Sequence, residues 1–248
     1  MNRFAVISPI PIVIETLIQN SIIRKAIINK IIEFRTINLR DYGIGNYKQI
    51  DDTPFGGGSG MIMMPEPLSH AIEDAIRWMG KDKVKVVYPS PQGKVWNQKR
   101  AVKFSNEKNI LMICGHYKGI DERVIKKYVT DEYSIGDFVM TNGEIPAIII
   151  LDSIIRLIPG TLNNLKSALT DSFSNGLLDY PHYTQPRIFQ DMAVPDVLLS
   201  GNHEKVDRWR RAAALARTLA KRPDLIELSG GLSEENLNLL NEFGFDSD

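Results

Sequence analysis

The chain has 248 residues, 43% of them hydrophobic, long enough for one large domain or for a main domain with a smaller companion. Thirty Lys and Arg balance 30 Asp and Glu, which excludes a global attraction for nucleic acid, so a polyanionic partner has to be held by a local concentration of basic residues. The lone Cys114 excludes an internal disulfide framework, and prolines and an acidic residue break the apolar start from Met1 to Glu15, so a reduced thiol, a cytoplasmic setting and no membrane insertion are expected.

Along the chain, short apolar and β-branched runs alternate with longer amphipathic stretches. Phe4–Ile7 precedes Ile12–Ile28, Val84–Tyr88 precedes Asn97–Phe104, and Ile110–Cys114 precedes Asp121–Tyr128. This alternation predicts an α/β domain with a largely parallel sheet. Between the first two pairs, the glycine cluster from Asp51 to Met61 lacks the Gly-Lys-Ser/Thr ending of a phosphate loop and reads as a surface loop able to lie against a substrate. Glu144–Ile158 is almost continuously apolar, with Pro146 in its first turn and Pro159-Gly160 as its stop, and predicts a buried helix. Polar and turn-forming residues follow from Thr161 to Asn175. From Pro195 onward Val206, Trp209, Ala213 and Ala216 or Ala220 mark one helical face, with basic residues on the other, which predicts a small all-helical domain.

Three predicted strands run directly into turns rich in glycine or proline. Val86-Val87-Tyr88 leads into Pro89-Ser90-Pro91-Gln92-Gly93, Ile113-Cys114 into Gly115-His116-Tyr117-Lys118-Gly119, and Tyr133-Ser134-Ile135 into Gly136-Asp137. In a parallel sheet such turns gather at the carboxyl edge, where ligands bind. A dinucleotide site is disfavoured, because no Gly-x-Gly-x-x-Gly separates a strand from a helix. The four histidines, His70, His116, His182 and His203, are scattered without metal-ligand spacing, and each reads as a surface or capping residue.

The strings Cys114-Gly115-His116-Tyr117-Lys118-Gly119-Ile120-Asp121-Glu122-Arg123, Ser134-Ile135-Gly136-Asp137-Phe138-Val139 and Asp171-Ser172-Phe173, with Gly176-Leu177-Leu178-Asp179-Tyr180-Pro181-His182-Tyr183, closely resemble the bacterial tRNA (guanine-N1)-methyltransferases. These are a branch of the SPOUT methyltransferases. The likeness runs from Phe4-Ile7-Ser8-Pro9 through Leu199-Ser200-Gly201-Asn202-His203 and Trp209-Arg210. It implies an α/β fold with a SPOUT-type deep trefoil knot, a topology that periodicity does not supply. It divides the chain into a knotted catalytic domain (1–160), a linker (161–183) and a helical tRNA-binding domain (184–248).

The resemblance further implies a homodimer that methylates N1 of the guanosine immediately 3′ of the anticodon in tRNA. S-adenosylmethionine is the methyl donor, and magnesium is implied as a requirement. Carried over position by position, cofactor contacts fall on Tyr88, Pro89, Ser90, Pro91 and Gly93, on Gly115 and Tyr117, on Ser134, Ile135, Gly136, Asp137, Phe138, Val139 and Met140, and on Gly143 and Pro146. The resemblance puts Asp171 as the base for the N1 proton and Arg156 beside guanine O6. In plain structural terms Asp171 would cap a helix starting at Ser172, and Arg156 would complement a helix dipole. Lys205, Arg208 and Arg211 are expected to hold RNA phosphates. Lys118, Asn142 and Gln185 depart from the family pattern, which has an acidic residue, a glycine and an arginine there. A non-catalytic RNA-binding relative and a knotted methyltransferase for another RNA position remain the alternatives.

Overall fold

Phe4, Ala5, Val6 and Ile7 are all buried, as only a strand covered on both faces requires. They belong to β1 (Asn2–Ser8), which is followed by β2 (Ile32–Asn38), the two-residue β3 (Asp51–Asp52) and β4 (Ile62–Met63), β5 (Val84–Val95), β6 (Asn109–Ile113) and β7 (Asp131–Ser134). The long strands form one five-stranded sheet in the order β2-β1-β6-β5-β7, and every neighbouring pair is parallel. The computed structural model describes residues 1–80, 82–162 and 171–245, and the chain divides into two units, Met1–Leu165 and Lys166–Asp248.

Alternate strand residues feed two cores. Phe4, Val6, Ile110 and Met112 pack with α1 (Pro11–Ile18), α2 (Ile22–Ile28), α4 (Gln98–Phe104) and α6 (Glu144–Ile155), while Ala5, Ile7, Leu111 and Ile113 pack with α3 (Pro65–Met79) and α5 (Glu122–Tyr128). This is the period of two that a pleated strand imposes. Residues 12–28 form two helices rather than one continuous stretch. The Ser21 hydroxyl donates to the Ile18 carbonyl at 2.9 Å, a local bond that competes with helix continuation. Residues 89–93 are not a turn after a strand but an irregularity inside β5, where the pairing with β7 shifts register between Pro89 and Lys94.

In the second unit, α7 (His203–Lys221), α8 (Pro223–Leu228) and α9 (Glu234–Glu242) surround Ala212, Leu215, Ile226, Leu239 and Leu240. A short hairpin, β8 (Ile188–Phe189) with β9 (Met192–Ala193), is an addition to the helices expected there. Of the stretch 161–183 expected as a linker, residues 163–170 lie outside those described. Its later part is held down within the second unit, since Leu177 packs against the helical core and the Leu178 N–H donates to Thr218 Oγ1 at 2.9 Å.

Thr218 is fully buried and also donates to the Ala214 carbonyl at 2.7 Å. Thr218→Val keeps the shape and strands the Leu178 N–H. The expected cost is about 1–3 kcal/mol in urea unfolding, with faster amide exchange at Leu178, and Thr218→Ser is expected to retain both. Unchanged exchange in the valine variant contradicts this account of the anchor.

Candidate active site

The carboxyl ends of β6, β5 and β7 meet at one edge of the sheet. There the chain leaving β6 at Gly115 touches the chain entering α6 at Gly143. The Gly143 N–H donates to the Gly115 carbonyl at 2.9 Å. A Cβ on Gly143 would lie 2.7 Å from the Gly115 nitrogen and 2.9 Å from Cys114 Cα. A Cβ on Gly115 would lie 2.8 Å from the Tyr88 hydroxyl. Gly143 has an ordinary helical backbone, φ −81°, so close approach rather than conformation demands glycine here.

Beneath this contact lies a buried polar cluster. Ser8 Oγ donates to Glu144 Oε1 at 2.6 Å, and His116 Nε2 lies 2.7 Å from the same oxygen. An ionised carboxylate only accepts, so His116 Nε2 carries the proton. Burial pushes the Glu144 carboxyl up, but the hydrogen bonds from His116 and Ser8 and the His116 charge outweigh it, holding the group below its ordinary value. Its position in the first turn of α6 adds the favourable helix dipole. Glu144 Oε2 is buried with no partner among the described residues. His116 therefore departs from the surface role expected of it. His70, His182 and His203 are not buried.

Above the cluster opens a cavity of about 490 Å³, within the range of small-molecule sites. Tyr88, Pro89, Ser90 and Pro91 form one wall, Gly115 and Tyr117 a second, and Ser134, Ile135, Gly136, Phe138, Val139, Met140, Gly143 and Pro146 the rest. Gly93 and Asp137 are not among the lining residues, while His116, Glu122 and Glu132 are. Ser134 Oγ accepts from the Gly136 N–H at 3.1 Å and donates to its carbonyl at 2.8 Å, which fixes that turn. Burial, reinforced by the Glu132 charge and opposed by a hydrogen bond with the Ile120 backbone, pushes the Tyr88 hydroxyl up to about 12, so it stays neutral. Burial likewise pushes the Cys114 thiol well up and makes it unreactive.

The glycine loop is tied to this rim. The Lys118 N–H donates to the Met61 carbonyl at 3.1 Å, the Met63 N–H donates to the Gly119 carbonyl at 3.0 Å, and the stem of Lys118 lies beside Gly60. Lys118 and Asn142 both line the cavity. At the loop's crest Phe55 is fully exposed.

Arg156 is the C-cap residue of α6 and half-buried. Asp171, also half-buried, belongs to the second unit and opens a turn rather than a helix, its carbonyl accepting from the Ser174 N–H at 3.2 Å. On α7, Arg208 is paired with Glu242, and Arg211 reaches Glu235 at 2.9 Å and Asn236 at 3.0 Å, while the Lys205 side chain is exposed. Basic spacing on α7 was legible in the sequence. Its acidic partners on α9 were not.

Residues 2–228 match the family model described as tRNA (Guanine-1)-methyltransferase TrmD. A Staphylococcus epidermidis protein named tRNA (guanine-N(1)-)-methyltransferase is 49% identical over 217 residues, covering 88% of this chain and 87% of its own. Proteins of the same name from Clostridioides difficile and Dictyoglomus turgidum are each 46% identical, the former covering 92% of this chain and 98% of its own, the latter 98% and 96%.

A carboxyl depressed in the folded state contributes stability that is present above its unfolded value, near 4.5, and lost as pH falls through the folded one. Glu144→Gln keeps the side-chain shape and removes that titration. The melting temperature of the wild type is expected to exceed that of the variant at neutral pH, the gap closing as pH drops below about 4.5. A gap independent of pH contradicts an ionised Glu144.

Proposed function

Because this chain belongs to the tRNA (guanine-1)-methyltransferase family, we propose that it transfers the methyl group of S-adenosylmethionine to N1 of the guanosine immediately 3′ of the anticodon. One observation carries the reading to these residues: a cavity walled by bare backbone at Gly115 and Gly143, in a chain that matches the family along most of its length. Adenine's edge asks for amide donors and carbonyl acceptors, and glycine lets the main chain supply them at close range. Tyr88 to Pro91, Gly115, Tyr117, Ser134 to Gly136, Phe138 to Met140, Gly143 and Pro146 are the residues that would hold the cofactor. When bound, S-adenosylmethionine supplies an electrophilic methyl group on a sulfonium.

N1 of neutral guanine carries a proton that has to leave as the methyl arrives. Asp171 accepts it, help of a kind that contributes roughly 10²–10⁴-fold. Negative charge then builds on O6, and the Arg156 guanidinium stabilises it more in the transition state than in the ground state. Asp171 heads no helix among the described residues, which supports the base reading over a helix cap. Arg156 does sit at the end of α6, where complementing the dipole and meeting O6 are compatible tasks.

The remaining features of the reading have narrower support. For a homodimer in which the partner's linker completes each site, the support is an apolar strip on α6, where Ile145 and Ile149 stand about half exposed one turn apart. For the deep trefoil knot it is the family and the contact between the turn after β6 and the entry to α6. Lys205, Arg208 and Arg211 on α7 would face the RNA phosphates, and Phe55 would lie against the flipped base. No helix among the described residues is long and apolar enough to cross a membrane. Among the described residues no three His, Cys, Asp or Glu side chains stand together as ligands for magnesium.

Incubation with labelled S-adenosylmethionine and unmodified tRNA carrying guanosine or adenosine at the target position, followed by digestion to nucleosides, is expected to give N1-methylguanosine from the guanosine substrate alone. A 2′-O-methylated product, or no product, contradicts the reading. Asp171→Asn is expected to keep cofactor affinity and lose about 10²–10⁴-fold in rate. Replacing Arg208 and Arg211 is expected to lower the salt slope of tRNA binding by about one for each phosphate no longer neutralised, and an unaltered slope moves the dock elsewhere.

A further inference from the structure

Between residues 180–187 and the first half of α7 lies a second cavity of about 410 Å³, contained wholly in the second unit. None of its lining residues takes part in the proposed methyl transfer. Val194, Leu198 and Val206 give it an apolar floor, and Tyr180, Tyr183, Arg187 and Arg210 also line it. The Tyr180 and His182 rings are 4.5 Å apart and tilted by 45°, and the Arg210 guanidinium stands 5.2 Å from the centre of the Tyr180 ring. Tyr183 is about half exposed and stands 6.4 Å from the buried Trp209 ring. An aromatic pair beside two guanidinium groups is unlike a solvated helix face, which needs no rings, and unlike a dock for an apolar side chain, which needs no cations.

The charges at this site are only loosely committed. Arg210 pairs with Asp207 at 3.0 Å and Arg187 with Asp196 at 3.4 Å, and His182 Nε2 lies 2.8 Å from an Asp179 carboxylate oxygen. Exposed pairs of this kind contribute little and yield readily to a phosphate, which a guanidinium grips with two parallel bonds. Arg210 Nε is buried with no hydrogen-bond partner among the described residues, so one donor of that fork is still unused. Arg208 and Arg211 are tied to α9, whereas Arg210 pairs within its own helix.

We infer that this cavity takes one unstacked nucleotide of the RNA substrate, with its base against Tyr180 and Tyr183 and its phosphate on Arg210 and Arg187. The inference rests on the proposed tRNA substrate and adds a second nucleotide site, apart from the guanosine that is methylated. Stacking on aromatic rings tolerates any base, and phosphate contacts set position rather than sequence. The site therefore fixes the register of the anticodon arm and leaves choice of the target base to the methyl-transfer cavity.

Fluorescence anisotropy with the full chain and a labelled anticodon-arm hairpin, without cofactor, tests it. Tyr183→Ala and Tyr180→Ala are each expected to weaken binding about tenfold, and Tyr180→Phe to leave it unchanged. An abasic nucleotide walked through the unpaired positions is expected to weaken wild-type binding at one position besides the target guanosine, with no further loss there in Tyr183→Ala. If no such position is coupled to Tyr183, the inference is overturned, whether or not Tyr180→Ala folds. The same hairpin is assayed for N1-methylguanosine: methylation without a coupled position sinks this site alone, and a coupled position without methylation sinks the proposed reaction alone.

Discussion

Gly143 and Gly115 bring two stretches of backbone, separated in sequence by a helix and a strand, to a distance no side chain would permit. Much of the catalytic unit is arranged to hold that contact. β1 and β6 pair in the middle of the sheet, so the turn leaving β6 has a fixed origin. α6 packs its buried face on the same sheet, and Trp96 Nε1 donates to Ser153 Oγ at 2.9 Å, tying the end of β5 to the helix. Glu144 completes the arrangement by gathering one residue from the end of β1 and one from the turn after β6 onto a single carboxylate oxygen.

That carboxylate is an unusual choice for a position 1% exposed, since desolvation penalises the charge. Two charge-assisted hydrogen bonds and a helix start offset the penalty. Losing one partner would leave a buried charge under-compensated, so Ser8, His116 and Glu144 stand or fall together. The gain is directional: an apolar trio would fill the same space without fixing where the Gly115 turn and the first turn of α6 lie relative to each other. The cavity above needs that precision, because a cofactor held through backbone groups feels any displacement of the main chain.

Much of this is legible in the sequence, unevenly. The runs Phe4–Ile7 and Ile110–Cys114 announce central parallel strands because such strands are apolar on both faces, and the structure agrees. β2 gives no such signal, since an edge strand carries polar residues such as Glu33 and Arg35 without cost. α3 stands outside the alternation that predicts the sheet, although Leu68, Ala71, Ile72, Ala75 and Met79 carry a helical period. His116 reads as a surface residue in the sequence because its partner Glu144 lies 28 positions away, beyond any local pattern. The walls of the cavity come from family resemblance. Periodicity locates two strand ends and an irregularity inside β5, but has no means to say that they enclose one space, or that Gly93 and Asp137 fall outside its lining.

Titration calorimetry with S-adenosylmethionine on the wild type and on Gly143→Ala addresses the central claim directly. The wild type is expected to bind one cofactor per chain. The added methyl group, with ordinary helical backbone angles but 2.7 Å from the Gly115 nitrogen, is expected to weaken binding at least tenfold while the far-ultraviolet circular dichroism stays that of the folded protein. Undiminished affinity in the folded variant would contradict the account, since the cofactor would then not depend on the meeting of these two turns.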